Sequence, residues 1–89
     1  MNRNVLETIV SLNQFNKVLD FISAVNKYDC QIDASQDRYI VDGHSILGLY
    51  SLNLINPVKI TIYGNSDKEK ELLNTITEGF GIGNQRKRN

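Results

Sequence analysis

The spacing of hydrophobic and polar positions along this chain changes several times, and each change marks an element. From Asn4 to Val10 the chain is rich in branched apolar residues, which predicts a first strand. The period then becomes helical. Phe15, Val18, Leu19, Ile22 and Val25 share one stripe and Lys17, Asp20 and Asn26 fall opposite it, so the spacing predicts an amphipathic helix over Asn13 to Lys27. Ser11 followed by Gln14 fits a capping box at its start, with Val10 and Phe15 placed as a hydrophobic staple.

Cys30–Ala34 and Arg38–Val41 are short runs separated by the polar tripeptide SQD, a pattern that predicts an antiparallel hairpin. Ser45 then precedes a short apolar helix, ILGLYSL. Pro57 suits the start of a strand, and VKITIY after it alternates Val58, Ile60 and Ile62 with Lys59, Thr61 and Tyr63. Ser66 and Glu69 form a second candidate capping box, and Leu72, Leu73 and Ile76 predict a last helix from Asp67 to Glu78. The order is β, α, β, β, α, β, α. Helices with one apolar stripe each would lie on one face of a four-stranded antiparallel sheet, an α+β arrangement.

Composition narrows the partners. A chain of 89 residues with 40% apolar and 22% charged side chains has enough apolar surface for one globular core. Ten acids balance ten bases, so no whole-domain field draws it to nucleic acid or to an anionic membrane. The lone Cys30 can form neither an internal disulfide nor a thiolate metal cage, which fits a reducing compartment and a small core residue. No apolar run approaches the roughly 20 residues that span a bilayer, and the N-terminal stretch mixes polar groups into its apolar positions, so a cytoplasmic location is expected. Residues 1–83 read as one domain and 84–89 as a basic, disordered tail. Arg86, Lys87 and Arg88 in that tail read as a solvated end, because three charges neutralise few phosphates. The preceding GFGIG follows a helix and precedes no second one, the wrong context for a nucleotide loop.

The candidate chemistry gathers in DGHSILGLYSL. Ser45 reads as an N-cap whose hydroxyl accepts from an amide further along the helix, and it is also a candidate for regulatory phosphorylation, since a phosphoserine is tolerated at a helix N-terminus. Ile46, Leu47 and Tyr50 would share the outer face of the helix as a partner-docking patch, unless two helices and the sheet bury them all. His44, the one histidine, has only Asp42 near it in sequence as an orienting group and reads as an exposed imidazole. No cluster of His, Cys or paired carboxylates has ligand spacing, so neither metal nor cofactor is expected.

The segment VDGHSILGLYSL resembles the regulatory-serine region of HPr, the histidine-containing phosphocarrier of the bacterial sugar phosphotransferase system, where Lys-Ser-Ile-Met-Gly and Ser-Leu stand in this arrangement. The resemblance runs without gaps from about Leu12 to Leu52, then loosely to Ile76. It implies that family's open-faced β-sandwich. HPr carries phosphate on a histidine that opens its first helix, within Gly-Leu-His-Ala-Arg-Pro. Counting back from Ser45 by the family's spacing reaches Gln14, and the motif becomes Leu12, Asn13, Gln14, Phe15, Asn16 and Lys17. Gln14 and Asn16 thus mark a degenerate active site: a primary amide has no free nitrogen lone pair to attack phosphorus, and Asn16 offers no guanidinium for the transferred oxyanions.

A glutamine at this place is similar to the catabolite-repression relatives of HPr, which act only through the serine. That resemblance implies a non-catalytic regulatory protein rather than an enzyme, with Ser45 phosphorylated by an HPr kinase and with phosphotransferase-system components or a transcription regulator as partners. His44 stands where that family has lysine. Two other readings stay open: an atypical phosphocarrier using His44, and a structural or oligomerising domain without a switch. Oligomeric state is not fixed by the sequence.

Overall fold

The structure, a computed structural model, describes residues 4–82. Its elements are β1 (Val5–Val10), α1 (Phe15–Val25), β2 (Gln31–Gln36), β3 (Tyr39–Asp42), α2 (Ile46–Tyr50), β4 (Val58–Tyr63) and α3 (Asp67–Phe80). The strands form one antiparallel sheet in the order β1-β4-β2-β3. This is the expected βαββαβα order. The basic tail and the proposed domain end at 83 lie outside the described residues.

Alternation along β4 decides which face is covered. Val58, Ile60 and Ile62 are fully buried, and antiparallel register places Leu6, Thr8 and Val10 of β1 and Ile32 and Ala34 of β2 on the same side. Val18, Phe21 and Val25 from α1, Leu49 from α2 and Leu72 and Ile76 from α3 close this core. The opposite face is polar: Lys59 pairs with Glu7 at 3.6 Å, and the Tyr63 hydroxyl donates to Asp33 at 2.7 Å. One covered and one open face make the open-faced sandwich.

Two expectations about α1 fail. The helix starts at Phe15 with Gln14 itself as N-cap, and Gln14 makes no side-chain cap bond, so the Ser11–Gln14 capping box does not form. Ser11 is drawn elsewhere: its amide donates to the Phe80 carbonyl at 2.9 Å while Leu12 is buried, and 11–13 stay outside the helix. Phe15 is 66% exposed and cannot staple onto the fully buried Val10. The buried stripe is Val18, Phe21 and Val25, with Phe15 and Leu19 outside it. Phe21 takes the core position on the stripe with Val18 and Val25 and packs edge-to-face with Phe80, centroids 5.6 Å apart at 77°, an aromatic pair across α1 and α3.

Elsewhere the boundaries shift and the logic holds. The hairpin turns on Asp37 and Arg38, with Asp37 at φ 52°. Ser66 and Glu69 form their capping box, and α3 runs on to Phe80, with Gly81 as its C-cap. Beyond that stop the chain adds to the sheet edge, where Gly81 bridges Val10.

Candidate functional site at the start of α1 and α2

The loop between β3 and α2 is built from its own backbone. The carboxylate of Asp42 accepts from the His44 amide at 2.9 Å, and the Asp42 carbonyl accepts from the Ser45 amide at 3.1 Å. Gly43 is buried there. A Cβ on Gly43 would lie 2.6 Å from Ile32 Cγ2, so only glycine lets the loop pass.

Ser45 emerges from this loop as the N-cap of α2. Its Oγ accepts from the Gly48 amide at 2.9 Å. Gly48 is also held close: a Cβ would stand 3.2 Å from Val41 Cβ and 3.3 Å from Ser45 Oγ. The cap read from the sequence is therefore present, and the serine is half-buried.

Of the residues that follow, Leu49 faces the core, while Ile46, Leu47 and Tyr50 are 36%, 80% and 43% exposed. The outer patch exists. It also extends further than α2, because the Phe15 ring stacks on Tyr50 with centroids 6.3 Å apart at 22°. Leu12, Phe15, Val18, Tyr50, Leu52 and Ile55 line a shallow apolar groove of about 330 Å³ beside the α1 start. Gln14 shares that rim, and its backbone carbonyl accepts from the Lys17 and Val18 amides at 3.0 and 3.2 Å. Gln14 and Asn16 are exposed. Phe15, expected in the apolar stripe of α1, lies on this surface instead. The signal was present: α1 carries more apolar positions than one buried stripe needs.

His44 departs from expectation. It is half-buried, with Nε2 2.8 Å from the Cys30 carbonyl oxygen and Nδ1 2.9 Å from the side-chain oxygen Oδ1 of Asn26. A carbonyl only accepts, so Nε2–H is the donor in that contact. Both partners come from far upstream in the chain and were invisible to a search for neighbours in sequence. Cys30 itself is in the core, and burial followed by the Glu69 carboxylate pushes its thiol pKa up. Among the described residues no group of three His, Cys, Asp or Glu could hold a metal, and no helix is long and apolar enough to cross a membrane.

Comparison with known proteins places this geometry. The sequence model of the family described as "PTS HPr component phosphorylation site" matches residues 18–80. The chain belongs to the HPr family. The matched segment includes the Ser45 loop and α2 and begins after Gln14 and Asn16. Among solved structures, the phosphocarrier protein HPr from Bacillus anthracis superposes with a TM-score of 0.68 at 24% identity, covering 85% of this chain and 96% of that one. HPr-C-His from Thermoanaerobacter tengcongensis superposes with a TM-score of 0.62 at 27% identity, over 92% of this chain and 98% of that one. No curated protein matches the chain. Protein partners and the phosphotransferase system therefore frame the function of this HPr-family chain.

Proposed function

We propose that this protein is an HPr-like regulatory or binding module that carries no phosphate on a histidine and is controlled at Ser45. The observation that carries the reading is the pairing of Gln14 at the α1 N-cap with a histidine whose two ring nitrogens are both engaged. Phosphoryl transfer needs a nitrogen lone pair free to attack in line. An amide at Gln14 has none, and both His44 nitrogens lie against neighbouring oxygens, so attack through either would first displace the ring from Cys30 or from Asn26.

Recognition then passes through the exposed apolar row of Phe15, Ile46, Leu47 and Tyr50. A phosphoryl group on Ser45 Oγ would add close to two negative charges beside that row and keep an acceptor for the Gly48 amide. Such a charge disfavours an apolar partner and favours one with an arginine or lysine near its edge. HPr kinase, phosphotransferase-system proteins and a transcription regulator are the partner classes in keeping with family membership.

Two incubations with intact-mass detection test this. With an HPr kinase and ATP, the protein should gain one phosphoryl group that Ser45→Ala does not gain. With enzyme I and phosphoenolpyruvate it should gain nothing. Phosphoenolpyruvate-dependent labelling that vanishes in His44→Ala would overturn the absence of carrier chemistry, and a kinase reaction without mass gain would overturn control at Ser45.

A further inference from the structure

The two edges of the sheet are treated differently. At β1 the chain after α3 covers the edge: the Ser11 amide donates to Phe80, the Ile82 amide donates to the Ile9 carbonyl at 3.3 Å, and Gly81 bridges Val10. At the other edge β3 pairs only with β2 among the described residues. The hairpin closes on Asp37 and Arg38, so Gln36 and Tyr39 are the hydrogen-bonded pair next to the turn, and alternation makes Ser35 and Ile40 a non-hydrogen-bonded pair. The amide and carbonyl of Ile40 therefore point outward from the sheet. Tyr39 and Ile40 are 66% and 67% exposed on this edge, where unpaired backbone groups template pairing with another chain.

We propose that this edge pairs with a second copy of the same chain, β3 against β3 and antiparallel, about a two-fold axis through Ile40. The segment Arg38-Tyr39-Ile40-Val41-Asp42 is self-complementary in that register alone. Ile40 meets the partner's Ile40 on the open face, with two reciprocal backbone bonds between them. Arg38 meets the partner's Asp42 on that same face, twice by symmetry. Tyr39 meets the partner's Val41 on the helix side. Parallel pairing would set Arg38 against Arg38 and Asp42 against Asp42, a two-residue slip removes both charge pairs, and a one-residue slip turns each side chain to the wrong face. An isologous contact of this kind closes as a dimer and does not propagate into fibres. It is small, under about 1,200 Å² in total, so the dimer is weak and depends on concentration. It also leaves the Phe15–Tyr50 face uncovered, so the inference stands or falls independently of the function proposed above.

Sedimentation velocity and amide chemical shifts, followed from micromolar to millimolar protein, test the pairing. The expected result is reversible dimerisation with shifts centred on 38–42. Ile40→Pro removes only the outward amide, leaves the β2 ladder its bonds, and should weaken association by about tenfold or more. Arg38→Asp and Asp42→Arg should each stay monomeric alone and associate when mixed, because the mixed pair restores opposite charges at both ends. Arg38 lies in the exposed turn and its replacement leaves the bond of Asp42 to the His44 amide, so the loss of association in Arg38→Asp alone survives a failure of the proline or the Asp42 variant to fold. A monomer at millimolar concentration, dimerisation unaffected by Ile40→Pro, or shifts confined to α1 and α2 would each overturn the proposal.

Discussion

The Nε2 of His44 donates to the carbonyl oxygen of Cys30 across 2.8 Å, joining the loop before α2 to the start of β2. The second ring nitrogen reaches Asn26, the C-cap of α1, so a single imidazole ties three segments together. This arrangement gives the histidine a structural task. Replacing His44 with alanine should lower stability by about 1–3 kcal/mol, since a half-buried carbonyl and an amide lose partners. Urea unfolding of the pair of proteins measures this, and an unchanged midpoint would show that the ring bonds contribute nothing.

The cap at Ser45 makes a separate expectation. Ser45→Ala removes the acceptor for the Gly48 amide and should cost about 1 kcal/mol, whereas Ser45→Asp retains an acceptor and places a negative charge at the favourable end of the helix. The aspartate variant should therefore melt near the wild type and the alanine variant several degrees below it. Thermal unfolding followed by circular dichroism separates the two. Equal melting of both variants would mean that α2 is held by Leu49 alone.

These two residues also show what could be read from the sequence. The cap on α2, the alternation of β4 and the capping box of α3 are local patterns in which every partner lies within a few positions, and each is present. The bonds of His44 to Cys30 and Asn26 span fourteen or more positions, and no spacing rule encodes them. The same holds for the start of α1. Ser11 had the right neighbours for a capping box, and a carbonyl from the far end of the chain claimed its amide. Phe15 and Phe21 are equally apolar, and Phe21 lies inside, on the stripe with Val18 and Val25 and against Phe80, while Phe15 stacks on Tyr50.

Gly64, between β4 and α3, stands at φ +119°, which L side chains rarely adopt. A Cβ there would also meet Glu69, 2.7 Å from its Cδ and 2.8 Å from Oε2. Gly64→Ala therefore combines backbone strain with displacement of the carboxylate that caps α3, and a loss of about 1–3 kcal/mol is expected. Chemical denaturation measures it. A stability equal to wild type would show that the turn relaxes freely.

The exposed row gives the reverse expectation. Leu47 is 80% exposed and Phe15 66%, so alanine at either position removes little buried area and should change stability by less than about 0.5 kcal/mol. If the row is the recognition surface, the same substitutions should weaken capture of an HPr kinase by tenfold or more, as loss of an apolar anchor does. Titration calorimetry alongside thermal unfolding distinguishes the two effects, and variants that bind unchanged would move recognition to another face.

Glu69 sets the acid limit of α3. Its carboxylate accepts from the Ser66 side chain and, at 2.8 Å, from the Ser66 amide, and these two bonds hold its pKa below the usual glutamate range, the hydroxyl contributing most. The bonds favour the ionised form and exist only in the folded chain, so folding is stabilised in full at pH above the ordinary glutamate value. The gain fades as pH falls from there toward the lowered folded value, where the native carboxylate at last takes up a proton. Stability should accordingly decline on acidification through that window, and Glu69→Gln should be less stable at neutral pH with a flatter acid slope. Denaturation midpoints measured at several acidic pH values for both proteins give the comparison. Parallel slopes would assign the acid sensitivity to another carboxylate. Gly64→Ala, by pushing the Glu69 side chain out of its bonds to Ser66, should flatten the slope in the same direction, which ties the strained glycine and the cap to one device.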